Sequence, residues 1–214
     1  SSAASDVYKR QAMVNELKLV FERMNINIWE VIEAANSKPF GFMPFYPGPG
    51  LGGHCIPIDP FYLSWTAKEF NTEAKFIELA GEVNRKMTEN VAHRIGKALN
   101  DHSKSIRKSN ILMLGLAYKK DIDDMRKSPA LKIAEILRFK GANISYHDPN
   151  INDAKELKFV ELNKENLRKA DAVVITTDHS NVDYELVGKY ARLIIDTRNV
   201  MASVKNPKAD VLRA

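Results

Sequence analysis

The residues best equipped for chemistry fall in one short run, Pro44–Pro60. It holds the sole cysteine, four of the ten glycines and five of the nine prolines. Proline removes backbone donors and glycine tolerates torsions closed to other residues, so this run is a shaped loop rather than a helix or a central strand. Gly50, Gly52 and Gly53 let the backbone approach a ligand closely just before Cys55, whose thiolate a nearby helix start would favour. Asp59-Pro60 reads as N-cap and first helical residue of a helix through Phe61, Leu63, Trp65 and Ala67. Such a helix start favours nearby anions. The alternative for a lone cysteine is a small buried hydrophobe. His54 adjoins Cys55 in sequence, so the two side chains are expected to diverge. A cysteine hydrolase would need His93, His102, His147 or His179 brought to the thiol.

A second set of polar residues follows the first apolar run of the C-terminal half. Tyr118, Lys119 and Arg126 lie between Gly115 and Ser128-Pro129. Arg198 follows a later run, in Asp196-Thr197-Arg198-Asn199. Lys119, Arg126 and Arg198 could meet a diphosphate, with arginine giving bidentate contact. Equally, Arg126 could pair with Asp123 or Asp124 as a surface network. The connection after Gly115 is long and has one glycine where a dinucleotide fingerprint needs three. This part should therefore not grip NAD in the usual way.

The elements that must position these groups divide into two textures. Val14, Leu17, Val20, Phe21 and Met24 fall at helical spacing and predict a helix over 12–25. Asn27-Ile28-Trp29-Glu30 has the form of a capping box for a helix to about Asn36. The run 73–99 carries Phe76, Ala80, Val83, Met87, Val91, Ile95 and Ala98 at steps of three and four, one long helix that joins two domains or makes a subunit interface. Residues 100–109 are polar and mark the boundary. Beyond it, strands at 110–115, 143–147, 172–176 and 192–196 alternate with helices at 128–139, 163–169 and 183–190. That alternation implies parallel βαβ units. The expected architecture is α/β: a helical central domain over 12–100 with a long connecting helix, then a Rossmann-like parallel-sheet domain over 101–214. Residues 1–11 read as a polar leader without an apolar face, a possible artefact.

Composition sets limits. A net charge of +5 on 214 residues is mild and suits a small anionic ligand as well as nucleic acid. A single cysteine excludes an intrachain disulfide framework and a multi-cysteine metal site. No apolar run approaches the ~18 residues of a membrane span, and no signal peptide is apparent, which makes a reducing cytoplasm the default location.

Gly52-Gly53-His54-Cys55-Ile56-Pro57-Ile58-Asp59-Pro60-Phe61-Tyr62-Leu63 resembles the cysteine loop of the UDP-glucose/GDP-mannose dehydrogenase family. Gly115, Tyr118-Lys119, Asp124, Arg126 and Ser128-Pro129 resemble the signature of that family's C-terminal nucleotide-binding domain. The resemblance covers about 12–214 and implies an NAD-dependent oxidation of a nucleotide sugar at its C6 alcohol. Cys55 would capture the aldehyde as a thiohemiacetal and carry the later thioester, with Asp59 assisting water. Lys119 and Arg198 would hold the UDP-sugar. Tyr46, Gly50, Gly52, Gly53 and Tyr118 would line the substrate, and Arg126 would be structural or close to the ligand. The family's N-terminal NAD domain, with its Gly-x-Gly-x-x-Gly, has no counterpart in this sequence. The loop looks most like the branch acting on UDP-N-acetylhexosamines, with UDP-N-acetylglucosamine the expected substrate and the manno epimer or UDP-glucose the alternatives. A non-catalytic UDP-sugar-binding or dimerisation module is the other reading. A homodimer through 73–99 is implied; no nucleic acid, membrane or metal is expected.

Overall fold

The computed structural model describes residues 2–214. Four helices lead: α1 (Ser2–Arg23), α2 (Ile28–Asn36), α3 (Asp59–Glu69) and α4 (Lys75–Asp101). Then follow β1 (Asn110–Leu114), α5 (Pro129–Phe139), β2 (Asn143–His147), β3 (Lys158–Phe159), α6 (Lys164–Lys169), β4 (Ala172–Ile175), α7 (Tyr184–Tyr190), β5 (Leu193–Asp196), a 3-10 turn (Val200–Ser203) and β6 (Asp210–Arg213). All pairings are parallel and the strand order is β3-β2-β1-β4-β5-β6. This is the order of the dinucleotide-binding α/β sheet, with its switch point between β1 and β4.

The sheet is covered on both faces. Ile111, Met113, Val174 and Ile195 share one core with Val91, Ile95 and Leu99 of α4 and Ile133 and Leu137 of α5. The alternate residues Leu112, Leu114, Val173 and Ile194 pack against Leu167 of α6 and Val187 of α7. Strand periodicity of two sends neighbouring side chains to opposite layers, which is why these strands read as unbroken apolar runs. α4 crosses between the two halves. Its Ala80 belongs to a small cluster with Tyr8 and Ala12 of α1, and its later turns belong to the sheet core.

Several expectations need correction. The stretch 1–11 is not a featureless leader: the described part is helical from Ser2, and Ser1 lies outside the described residues. Tyr8 is buried and meets Phe61 edge-on at 5.8 Å, while Asp6 and Arg10 pair one turn apart at 3.0 Å. The apolar stripe that defines α1 therefore starts earlier than Val14. Asp59 is not the N-cap of α3. Ile58 holds that position without a side-chain cap bond, and Asp59 is the first helical residue. Asn27 does cap α2, accepting from Trp29 N–H, but its own amide donates to Glu30, at 2.7 Å, rather than Glu30 reaching back to the backbone. The sheet has six strands where four were expected. β3 spans two residues, and β6 is a half-exposed edge.

Within the helical half, Lys18 of α1 is buried, 6% exposed, and its ammonium finds no hydrogen-bond partner among the described residues. Arg94 of α4 stands beside it, paired with Glu22 and donating to the Arg213 carbonyl. Burial, reinforced by Arg94, pushes the Lys18 amine down to about 7.

Candidate active site

The cysteine loop is seated on the sheet domain backbone to backbone. Gly53 N–H donates to the Arg126 carbonyl at 2.8 Å. A methyl at Gly52 would stand 2.4 Å from Tyr118 Cβ and 3.0 Å from the Lys127 carbonyl oxygen. At Gly53, whose φ is +92°, it would meet the Tyr118 ring at 3.0 Å. Glycine at both positions is thus a condition of the docking, and at Gly53 of the torsion as well. Further back, a methyl at Gly50 would press on Pro129 and Thr88, and one at Gly48 would stand 2.7 Å from Arg198 Nη1.

The same loop is tied to the helices by a buried amide relay. Gly48 N–H donates to Asn15 Oδ1 at 3.1 Å, Asn15 Nδ2 to Asn84 Oδ1 at 3.1 Å, and Asn84 Nδ2 to the Tyr8 carbonyl at 3.2 Å. Neither asparagine stood out in the sequence, because an Asn on a helix face reads as solvated. The available signal was position: Asn15 falls one residue after Val14 and Asn84 one after Val83, inside the apolar stripes of α1 and α4.

Cys55 and His54 are exposed. Their side chains do not diverge as expected: Cys55 Sγ lies 3.8 Å from His54 Nδ1. The Cys55 carbonyl accepts from Ile58 N–H at 3.0 Å and Asp59 N–H at 2.9 Å, which folds Cys55–Ile58 into a turn leading directly to α3. Asp59 is half-buried on the first turn of that helix. The other histidines are engaged elsewhere or exposed. His102 contacts Ala98 and Asp210, His147 the Val160 carbonyl, and His179 is fully buried; His93 is exposed on α4.

The remaining expected residues separate into those the fold brings to this face and those it uses differently. Tyr118 packs on Gly52 and Gly53, and Lys119, next to it, is exposed. Arg126 forms a two-toothed pair with Asp124, Nε at 2.9 Å and Nη2 at 2.7 Å from Oδ2. That pairing holds the Asp124 carboxyl below its ordinary range and raises the Arg126 guanidinium further. Arg198 sits at the end of β5, its Nε donating to the Thr176 carbonyl at 2.9 Å and its N–H to Asp196 at 2.9 Å. Burial presses its pKa down against the pull of Asp178 and Asp196, so an anion beside it would meet a poorly hydrated guanidinium. Tyr46 lies apart from the Gly52–Tyr118 contact, stacked on Trp29 of α2 at 5.5 Å and accepting from Gln11 through its carbonyl.

The turn after β1 does not offer its first N–H groups to a ligand. The N–H groups of Leu116 and Ala117, which would face a pyrophosphate after β1, both donate to the buried carboxylate of Asp148. Among the described residues no group of three or more His, Cys, Asp or Glu could hold a metal ion, and no helix is long and apolar enough to cross a membrane.

Comparison with known proteins accounts for both halves. Residues 7–86 match the central domain of the UDP-glucose/GDP-mannose dehydrogenase family, and residues 112–203 match its UDP-binding domain. The first match begins inside the stretch expected to be unmatched. The chain is 38% identical over 198 residues to the UDP-N-acetyl-D-mannosamine dehydrogenase of Pyrococcus horikoshii, covering 89% of this chain and 44% of that protein. It is 33% identical over 199 residues to the NDP-N-acetyl-D-galactosaminuronic acid dehydrogenase of Ralstonia nicotianae, covering 90% of this chain and 45% of the relative. The solved UDP-D-ManNAc dehydrogenase of Pyrococcus horikoshii superposes with a TM-score of 0.80 at 33% identity, over 96% of this chain and 47% of that one. The chain thus spans less than half the length of these relatives, and within that span it carries the central and UDP-binding domains of the UDP-glucose/GDP-mannose dehydrogenase family.

Proposed function

We propose that this chain supplies the covalent nucleophile and the UDP-sugar site of an NAD-dependent UDP-N-acetylhexosamine 6-dehydrogenase. The supporting observation is the docking of the Cys55 loop, through Gly52 and Gly53, on the loop that carries Tyr118 and Lys119. In this reading Lys119 and Arg198 take the diphosphate and Tyr118 flanks the sugar. Gly52 and Gly53 seat the loop on Tyr118 and Gly50 seats it on Pro129, which brings Cys55 to the sugar, and Tyr46 braces the loop through Trp29. Cys55 Sγ adds to the C6 aldehyde, its proton passing to the carbonyl oxygen, to give a thiohemiacetal held on this chain. Asp59, which follows Cys55 on the first turn of α3, would orient the water that later releases the acid. NAD would be held outside these residues and would supply the hydride chemistry. Arg126 acts as a strut, its carbonyl holding Gly53 and its guanidinium occupied by Asp124.

The acetamido preference rests on the relatives, whose names specify N-acetylated sugars, and on the Gly-Gly-His-Cys-Ile-Pro run. A site built around an amide rejects a sugar lacking it because its polar partners are left unpaired. The gluco epimer is the expectation from the loop sequence, and the relatives' names bring the manno epimer level with it.

One experiment on the chain itself tests the site. Cys55 is the sole cysteine, so alkylation by iodoacetamide reports one position by intact mass. UDP-N-acetylglucosamine and UDP-N-acetylmannosamine should slow alkylation severalfold, and UDP-glucose less. An alkylation rate unchanged by all three, with no UDP binding by calorimetry, would refute the proposal.

A further inference from the structure

The loop Gly115–Ser128 is held by a buried pair that the proposed chemistry does not use. Asp148, at the end of β2, accepts through Oδ2 from Leu116 N–H at 2.6 Å, Ala117 N–H at 3.2 Å and His179 Nε2 at 3.1 Å. Both side chains are 0% exposed. His179, just after β4, receives Asp121 N–H on Nδ1 at 3.0 Å and stands 3.0 Å from the Asn150 amide nitrogen. A backbone N–H can only donate, so Nδ1 is bare and Nε2 carries the hydrogen: the partners fix the tautomer. The Asp121 carboxylate then accepts both the N–H and the hydroxyl of Ser180 at 2.7 Å. Burial opposes the charge on Asp148, yet the bonds from His179, Leu116 and Asn150 outweigh it and keep the carboxyl below its ordinary range.

The loop is thus pinned at Leu116, Ala117 and Asp121. Tyr118 and Lys119 lie between the pins. In sheets of this order the turn after β1 offers its N–H groups to a phosphate; here a carboxylate of the chain takes them, which pushes any ligand outward onto the next residues of the loop. We infer that Asp148 and His179 are positioning residues, an internal anion and its orienting imidazole, that hold Tyr118 and Lys119 in place for a nucleoside diphosphate. The ligand part rests on the UDP-sugar reading above; the loop part does not.

His179→Leu removes one donor and one acceptor, whereas His179→Gln keeps one of each. Hydrogen exchange of peptides spanning 115–128 and calorimetric titration with UDP test the inference on the purified chain. His179→Leu should speed exchange in that loop and weaken UDP binding, each about tenfold, the scale of one lost buried hydrogen bond. Peptides from β4 and β5 should stay protected, and His179→Gln should restore both readings to within about threefold, as its retained bonds allow. A purely structural role would instead raise exchange across the sheet and give no selective rescue. Should His179→Leu fail to fold, Asp148→Asn, whose NH2 must face at least one of the four N–H groups Asp148 now accepts from, takes its place with the same expectation. Loop exchange and UDP affinity unchanged in a folded variant would overturn the inference. If the native chain binds no UDP, the functional reading fails while the exchange measurement still decides the role of the pair.

Discussion

Lys18 offers a quantitative test of the packing between α1 and α4. Its amine has no hydrogen-bond partner among the described residues and faces Arg94, so the folded state disfavours its charge. Each tenfold between folded and unfolded ionisation is worth about 1.4 kcal/mol. A lysine at about 7 in the fold against 10.5 in the open chain therefore costs about 4 kcal/mol at neutral pH, a large part of the roughly 5–15 kcal/mol typical of a folded domain. The sign follows from proton counting. Between about pH 7 and 10.5 the unfolded chain holds a proton that the folded chain has released, so this group's contribution to stability rises with pH, is complete above 10.5 and is lost as pH falls toward 7. Lys18→Met keeps the apolar stem and removes the titration. The variant should be more stable than the parent by about 4 kcal/mol at pH 7, with the gap closing as pH approaches 10.5. Urea unfolding at intervals from pH 6 to 10 measures it. Trp29 is a local reporter because it lines the same cavity wall as Lys18. Parallel stability curves for the two proteins across that range, or a less stable variant at pH 7, would refute the reasoning.

Two further tests address the site and the assembly. Gly52→Ala places a methyl 2.4 Å from Tyr118 Cβ; the clash should cost about 1–3 kcal/mol and loosen the Cys55 loop, read as a lower unfolding temperature together with faster alkylation of Cys55. Phe76 and Leu79 on α4 are 80% and 53% exposed, and Met13 on α1 is 59% exposed. An apolar face of that kind fits a second copy of the chain, so sedimentation should show a concentration-dependent dimer that Phe76→Glu dissociates; a monomer at every concentration would count against it.

The fold was legible wherever a pattern repeated. The long apolar stripe of α4 and the runs at 111–114, 172–175 and 193–196 declare themselves, because burial on one helix face or on both sheet faces writes a periodic signal. β3 and β6 left none: two residues are too few, and an edge strand keeps its polar flank. At the site, the glycines and Cys55 stood out by type, but their partners did not. That Gly52 is pressed on Tyr118, or that Arg126 is spent on Asp124, depends on how two distant segments meet. Asp148 and His179 each follow a strand, yet nothing local announces that the carboxylate faces inward to its own chain.

The continuity of α4 bears on how the molecule comes apart. Its first turns are part of the cluster around Tyr8 and Ala12, and its later turns, from Val91 to Leu99, are part of the sheet core. Fraying the helix from either end withdraws side chains from one core and strips the neighbouring turns that serve the other. The two halves should therefore behave as a single cooperative unit. A calorimetric scan should show one heat-absorption peak whose calorimetric and van't Hoff enthalpies agree, and a glycine pair introduced between Met87 and Val91 should split that peak in two.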